Sequence, residues 1–421
     1  MSNEFNKEER VAFESILEGF HDYLVLSYLI SKYTQSDVDM ERSGDVIWRP
    51  QPYIAQSYDG MDQSDNFKDH TQLSVPATLG YEKSSPWIMD AKQLRDALQE
   101  NRLGDAAKQK LASDINVAIM NVASSQGTVV VARTAAASGY DDVAEVDSTF
   151  NELGVTNMGR SLALSSRDYN GMASNLAARQ TMNEMPSAAY RKSMVGEVAS
   201  FETHKLDYSN RIGAAAGGGS LTMDTRTSAV NYYTPVATRV ATTGEKSNVD
   251  NRYQTVTISS TTNVEAGDCF TIAGVNSVHH ITKGDTGQLK TFRVMQVLNS
   301  TQMVISPPIV SAQGETDAEL EYKNTEVTES ATASIVFLNV TAAAINPFFV
   351  KDALEFIPGR YAVEAGNGAA VMRGTTENGF ELVMTKFFDM TTFKTKYRMD
   401  VLFGVVNKQP EMSGILLFGQ S

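Results

Sequence analysis

Tyr253-Gln254-Thr255-Val256-Thr257-Ile258-Ser259 is the stretch on which the fold turns. Val256 and Ile258 point one way, while Thr255, Thr257 and Ser259 point the other. That is the period of a strand with one face in a core. The stretch lies within a longer run, about residues 232–340, of short Thr/Val/Ser-rich segments split by turns. Further strands are predicted at 269–273, 291–298, 301–306, 319–322 and 334–340. Several short strands with turn signals between them predict a small barrel or sandwich.

Outside that run the texture changes. Ala214-Ala215-Ala216-Gly217-Gly218-Gly219 reads as a flexible connector. Upstream of it, Asp90 is a plausible N-cap for a helix over 91–99, and Gly104 marks a break. A second helix then runs to about 125. Its apolar face is Leu111, Ile115, Ile119 and Val122, and Gly127 is placed to end it. A strand at 127–132, a helix at 142–153, a strand at 161–164 and a helix at 167–178 follow. The mixed texture resumes at about Thr341, with strands at 354–357, 381–384 and 397–406. The helix–strand–helix order indicates an α/β or α+β domain, with an all-β unit spliced into it.

Residues 6–33 read as an amphipathic helical arm. Phe13, Ile16, Leu17, Phe20, Leu24 and Tyr28 fall near helical spacing, and Glu8, Glu9, Glu14, Glu18 and Asp22 fall largely elsewhere. Such a stripe needs a partner to cover it. Residues 34–86 are polar and turn-rich. Val46-Ile47-Trp48 predicts a short strand, the charged stretch 62–70 the tip of a long hairpin or loop, and Gln72-Leu73-Ser74-Val75 its return. An excursion of that length is usually an interaction element.

The 421 residues carry 50 acidic and 36 basic side chains, for a formal charge of −14. An acidic surface repels phosphate backbones and argues against a nucleic-acid-binding protein. One cysteine, Cys269, excludes an intrachain disulfide framework and points to a reducing compartment. Its setting predicts a small buried strand residue. The polar, acidic start does not read as a secretory signal, and no stretch is long and apolar enough to span a membrane. A cytoplasmic, soluble product is expected.

Catalytic signatures are weak throughout. His279-His280 are adjacent in a predicted strand end, so they point to opposite faces and read as a solvent-facing pair rather than metal ligands. A lone cysteine rules out a thiolate zinc site. The carboxylates at Asp37-Val38-Asp39 and in 65–69 lack the glycine and distal glutamate of an EF-hand loop. Gly217–Gly219 lacks the Gly-Lys-Ser/Thr ending of a phosphate-binding loop, and no Gly-x-Ser-x-Gly elbow occurs. No cofactor is expected. The mixed-charge stretch 243–252, with Glu245, Lys246, Asp250 and Arg252, is an ordinary solvated turn in an isolated protein. In an assembly subunit such loops pair across interfaces.

Several islands resemble one family. Tyr33-Thr34, Met40-x-Arg42-Ser43 and Ile47-Trp48-x-Pro50 resemble the start of the major coat proteins of short-tailed Salmonella-type phages, the Lederbergvirus group. Asn248-Val249-Asp250-Asn251-Arg252-Tyr253-x-Thr255-Val256-Thr257 resembles the start of the insertion domain that this group carries. Gly267-Asp268 and Ile272-Ala273-Gly274-Val275 are similar to the same domain. Asn346 to Phe349, then Gly404-Val405-Val406-Asn407-x-x-Pro410-Glu411, is similar to the family's closing strand.

The resemblance implies the tailed-phage capsid fold of the Hong Kong 97 type. On that fold, residues 1–33 would be the N-terminal arm. Residues 34–221 and 342–421 would be the capsid core, with an extended loop at about 50–81 and peripheral and axial domains. Residues 222–341 would be the inserted β-barrel. The implied function is a structural subunit that assembles into an icosahedral head. Its implied partners are itself in hexamers and pentamers, a scaffolding protein, a portal protein and packaged double-stranded DNA without sequence-specific binding; no membrane is implied. Glu245, Lys246, Asp250 and Arg252 would then reach between capsomers, Glu14 and Glu18 would meet scaffold, and Asp65, Lys68 and Asp69 would lie in the extended-loop interface. Two other readings stay open: an enzyme with a β accessory module, and a tail or decoration protein.

Overall fold

In a computed structural model of the chain, the described residues are 4–20, 26–33, 46–52, 70–90, 104–178, 196–206, 208–216, 221–223, 233–312, 316–327, 333–361, 368–376 and 379–421, with isolated positions between 55–67 and 92–96. They divide into two compact units. Met1–Ile47, Ala77–Val122 and Leu354–Val406 form the first, and Trp48–Pro76, Ala123–Ala353 and Asn407–Ser421 the second.

The first unit is built on a six-stranded sheet. Its order is Ser31–Lys32, Leu354–Pro358, Lys394–Asn407, Glu381–Asp389, Ala370–Thr375, with Tyr81–Asp90 also paired to Lys394–Asn407. That last pairing is antiparallel over its full length, from Tyr81↔Phe403 to Asp90↔Lys394. Trp87 stacks on Tyr397 at 5.6 Å and Tyr81 on Phe403 at 5.1 Å, so aromatic cross-strand pairs hold the register. The arm helix Lys7–Phe20 lays Phe13 and Ile16 into the core. Gly374 gives it room: a Cβ there would sit 2.8 Å from the Phe13 ring.

The helix Asp105–Gln126 is the longest among the described residues. Alanines and straight-chain residues favour it, and Leu111, Ile115, Ile119 and Val122 are all buried, as predicted. Gly127 follows it for a reason of packing: a Cβ would lie 3.1 Å from both the Ala123 carbonyl oxygen and the Gly414 backbone.

In the second unit a sheet runs Val129–Ala132, Ser413–Leu417, Asn346–Val350, Arg160–Ser165, Phe201–Leu206, Glu197–Val198. Helices Tyr140–Glu152 and Ser166–Ala178 accompany it. Phe150, Phe201 and Phe348 form an edge-on and tilted cluster in its core, with centroids 5.0–6.2 Å apart.

Seven of the described strands between 222 and 337 make a separate sheet: Thr222–Met223, Ala333–Phe337, Cys269–Val278, Asp285–Val297, Gln302–Ser306, Gln254–Thr257, with Thr325–Val327 on the third. A bridge from Met223 to Ile258 links the two ends, so the sheet is a nearly closed barrel. Val256 and Ile258 are buried in its core, as the opening alternation predicts, while Thr255 and Ser259 are exposed.

Three expectations are corrected. The arm is not helical to residue 33: after a short turn at Leu26–Tyr28, Ser31–Lys32 is a strand paired in parallel with Leu354–Pro358. Tyr33 N–H donates to the Phe356 carbonyl at 2.9 Å and Ser31 Oγ to that of Leu354, so the chain exchanges helical bonds for sheet bonds. Residues 319–322 are not a strand but part of a helix, Asp317–Tyr322, whose N-cap Thr316 accepts from Glu319 N–H at 3.3 Å. Residues 81–86, within the predicted polar turn region, belong instead to the strand Tyr81–Asp90. The Phe20 side chain, Leu24 and most of the helix predicted at 91–99 lie outside the described residues. Asp90 nevertheless accepts from the amides of Lys92 and Gln93 at 3.0 and 2.7 Å, as an N-cap does.

Candidate functional site

Among the described residues, three places bear on the predicted interface residues. The first is a hairpin pairing Thr238–Val240 with Lys246–Asn248, in which every strand residue is exposed. Its turn closes with Ala241 N–H on the Glu245 carbonyl at 2.9 Å and Gly244 at φ 86°, a left-handed conformation that suits glycine. Asn251 clamps the base, donating to the Val236 and Val249 carbonyls at 2.9 and 3.0 Å and accepting from Val236 N–H and the Tyr233 hydroxyl.

Arg252 belongs to this footing and not to the display. It is only 7% exposed, grips Asp250 with Nε and Nη2 at 2.9 and 2.7 Å, and donates from Nη1 to the Asn407 carbonyl at 2.8 Å. Although burial pulls its pKa down, the hydrogen bonds to Asp250 hold it above the ordinary arginine value. Of the four predicted inter-capsomer residues, Glu245 and Lys246 are displayed, whereas Asp250 and Arg252 bind each other. Donors spent on intrachain acceptors are less available to a neighbour.

The second place is the stretch expected to form an extended loop. Asp65, Lys68 and Asp69 lie outside the described residues. Met61 is fully exposed and Phe67 nearly so, an apolar display the sequence reading did not single out. The loop returns along the barrel helix: His70 Nδ1 meets Glu321 Oε1 at 2.5 Å, and Thr71 N–H donates to Glu321 Oε2 at 3.3 Å. The Tyr322 hydroxyl accepts from Leu73 N–H at 3.3 Å and donates to the Thr71 carbonyl at 3.1 Å.

The third is the arm. Glu14 is exposed on its helix, and the Glu18 side chain lies outside the described residues. Glu9, which was expected only as part of the charged face, is buried. Its carboxylate accepts from Lys386 Nζ at 2.8 and 2.9 Å, Tyr397 OH at 2.6 Å and its own helix's Asn6 N–H at 2.9 Å. The Asn6-x-x-Glu9 spacing of a capping box was the signal available. Burial, then the bond to Glu9, pushes the Tyr397 hydroxyl pKa upward.

The barrel is footed on the sheet of its own unit. Arg293 is fully buried and donates from Nη1 to the carbonyls of Ser124 and Gly127, at the C-terminal end of the long helix. Unpaired carbonyls and the negative end of the helix dipole make that end a natural site for a cation. Thr291 Oγ1 donates to the Thr128 carbonyl at 2.8 Å, Lys290 pairs with Glu411, and Asn339 Nδ2 bonds Asp268 at 2.9 Å. His279 and His280 are half-buried here rather than solvent-facing. His279 Nδ1 accepts from Thr282 N–H, and His280 N–H donates to the Leu153 carbonyl at 2.8 Å. Burial lowers the pKa of His280, and burial again lowers Lys283 to about 8. Cys269 is buried, as predicted, and burial pushes its thiol up to about 11.

Among the described residues no group of three or more His, Cys, Asp or Glu is placed to hold a metal ion, and no helix is long and apolar enough to cross a membrane. A family model described as "P22 coat protein - gene protein 5" matches residues 1–419. The chain belongs to the P22 coat protein family. It is therefore a structural major capsid protein of a phage and not an enzyme, it self-associates into a shell, and its place is the virion capsid. Its α+β architecture with a nearly closed barrel is the tailed-phage capsid fold of that family.

Solved structures similar to this coat protein include Mycobacterium phage Che8, at 11% identity and TM-score 0.43, covering 93% of this chain and 90% of that one. The capsid of cyanophage P-SCSP1u is similar at 11% identity and TM-score 0.44, covering 93% and 87%. The CUS-3 coat protein I-domain is similar at 34% identity and TM-score 0.21, covering 30% of this chain and 99% of that one.

Proposed function

We propose that this coat protein assembles in the host cytoplasm, with a scaffolding protein and around a portal, into a rounded precursor shell. Packaging of double-stranded DNA then expands the shell, and the arm and extended loop reposition. Residues 222–341 act as an insertion domain on a capsid core formed by 34–221 and 342–421, and residues 1–33 as the arm. The hairpin at 238–248 reaches a neighbouring capsomer, and the extended loop, with Asp65, Lys68 and Asp69, lies on a neighbouring subunit. Glu14 and Glu18 meet a basic scaffolding segment.

The observation that carries this reading is the fully exposed hairpin. A protein folding only for itself has no use for a two-stranded ladder with every side chain in water, because such a ladder has no core to stabilise it. It carries Arg239, Glu245 and Lys246, both signs within one turn, and so suits a symmetric neighbour presenting the same residues. Weak contacts suffice because a closed shell multiplies them.

Electron microscopy of the chain co-expressed with its scaffold tests the reading. Lys246→Glu should lower the yield of intact expanded shells while leaving the barrel folded, and the double exchange Glu245→Lys with Lys246→Glu should recover part of it. Normal expanded shells from the single variant would remove the hairpin from the interface. Glu14→Lys should impair scaffold recruitment, and unchanged shell yield would sink that assignment.

A further inference from the structure

We infer that the barrel helix Asp317–Tyr322 sets the position of the extended loop, with Glu321 and Tyr322 as positioning residues for shell geometry. The inference rests on the proposed reading of that loop as an intersubunit contact. The backbone at 71–73 has a ladder partner on one side, where Gln51 N–H donates to the Leu73 carbonyl at 2.9 Å. On the other side its polar groups are met by two side chains of the helix. Glu321 takes Thr71 N–H, and the Tyr322 hydroxyl takes Leu73 N–H and gives to the Thr71 carbonyl. Three backbone groups that must find partners find them at fixed points on a short capped helix.

The arrangement has no slack. Glu321 is buried, and its two oxygens are divided between His70 and Thr71. Sliding the returning limb by one residue would strand a buried carboxylate, which is costly. Beyond the footing, Ser74 bridges to Asp250 at the base of the exposed hairpin, so the loop and the hairpin share one foundation. Met61 and Phe67 stand exposed on the part of the loop that this footing aims. A closed shell needs the same angle at every copy of a contact, so a loosened footing should appear as mixed curvature rather than as loss of folding.

Tyr322→Phe and Glu321→Gln in the full chain, co-expressed with scaffold, test this by two readouts. Amide exchange at 71–73 should quicken about tenfold, as expected for one lost hydrogen bond, while exchange at 270–272 in the barrel stays unchanged. Electron microscopy should then show shells of mixed diameter or open spirals. Unchanged exchange at 71–73 would overturn the anchorage, and quickened exchange with shells of parental diameter would overturn its role in geometry. Met61→Asp and Phe67→Asp probe the underlying reading separately. Normal shells from those two would show that the loop meets no neighbour, and the inference would fall with that reading, whereas damaged shells would leave it to the footing variants.

Discussion

Arg293 illustrates what a single residue does in this coat protein. Burial lowers its pKa, against the favourable charge of Asp268, and its Nη1 donates to the carbonyls of Ser124 and Gly127. Arg293→Met would leave two carbonyls of a helix end unpaired, and should cost about 2–4 kcal/mol in urea unfolding; an unmoved midpoint would mean that water replaces the guanidinium. Cys269, its cross-strand partner, should label with iodoacetamide far more slowly in the native chain than in urea, since it is both buried and held as the thiol. Lys283 adds a pH dependence. Its folded pKa of about 8 lies below the ordinary 10.5, so between those values the unfolded chain holds the extra proton and stability rises with pH. Cys269 opposes this from about pH 9, its ordinary value, because its raised thiol keeps a proton that the unfolded chain loses. Lys283→Met should therefore flatten the rise between pH 8 and 9 in urea midpoints, and a slope that survives would place its origin elsewhere. Apart from the burial of Cys269, none of these roles was legible in the sequence. Arg252 read as a loop charge because its acceptor, Asn407, is 155 residues away. Glu9 read as solvated because Lys386 and Tyr397 are farther still.

Elements were more legible where their period was undisturbed. The Val256/Ile258 alternation and the Leu111–Val122 stripe both mark buried faces. Tyr81–Asp90 escaped because its inward and outward positions are both filled by polar, charged and aromatic residues, and its partner strand lies more than 300 residues away. The barrel helix was misread from Glu319-Leu320-Glu321-Tyr322, although Thr316-Asp317-Ala318-Glu319 carries the Ser/Thr-x-x-Glu spacing of a helix start. With that helix went the footing of the extended loop. Close approach between elements makes a sharper prediction than propensity does. A Cβ on Gly414 would lie 2.2 Å from the Val129 carbonyl oxygen and 2.4 Å from the Phe348 ring. Gly414→Ala should lower stability by about 1–3 kcal/mol in thermal melts by forcing Ser413–Leu417 away from Val129–Ala132, and a parental melting temperature would show that the strands can part cheaply.

For the whole molecule the dominant quantity is the charge of −14 on every copy. Subunits that must crowd into a shell repel one another, and salt screens that repulsion: the Debye length falls from about 30 Å at 0.01 M to about 8 Å at 0.15 M. Light scattering of the purified chain should show faster assembly at the higher salt. Slower assembly would mean that complementary interface charges outweigh the net repulsion. Fold class was readable at this scale from order and texture, and shell function from the islands that resemble coat proteins; the displayed residues were readable only in part, because display depends on which charges the folded chain has already consumed. The order of strands in the sheet of the second unit also has a temporal meaning. Ser413–Leu417 stands between Val129–Ala132 and Asn346–Val350. A ribosome must therefore translate almost 300 codons after the first of these strands before that sheet can close. The barrel, whose strands all lie between 222 and 337, is complete well before that moment. A nascent coat protein thus waits with one sheet open around a gap while another is already shut. During that wait a chaperone or a neighbouring chain could fill the place kept for residues 413–417.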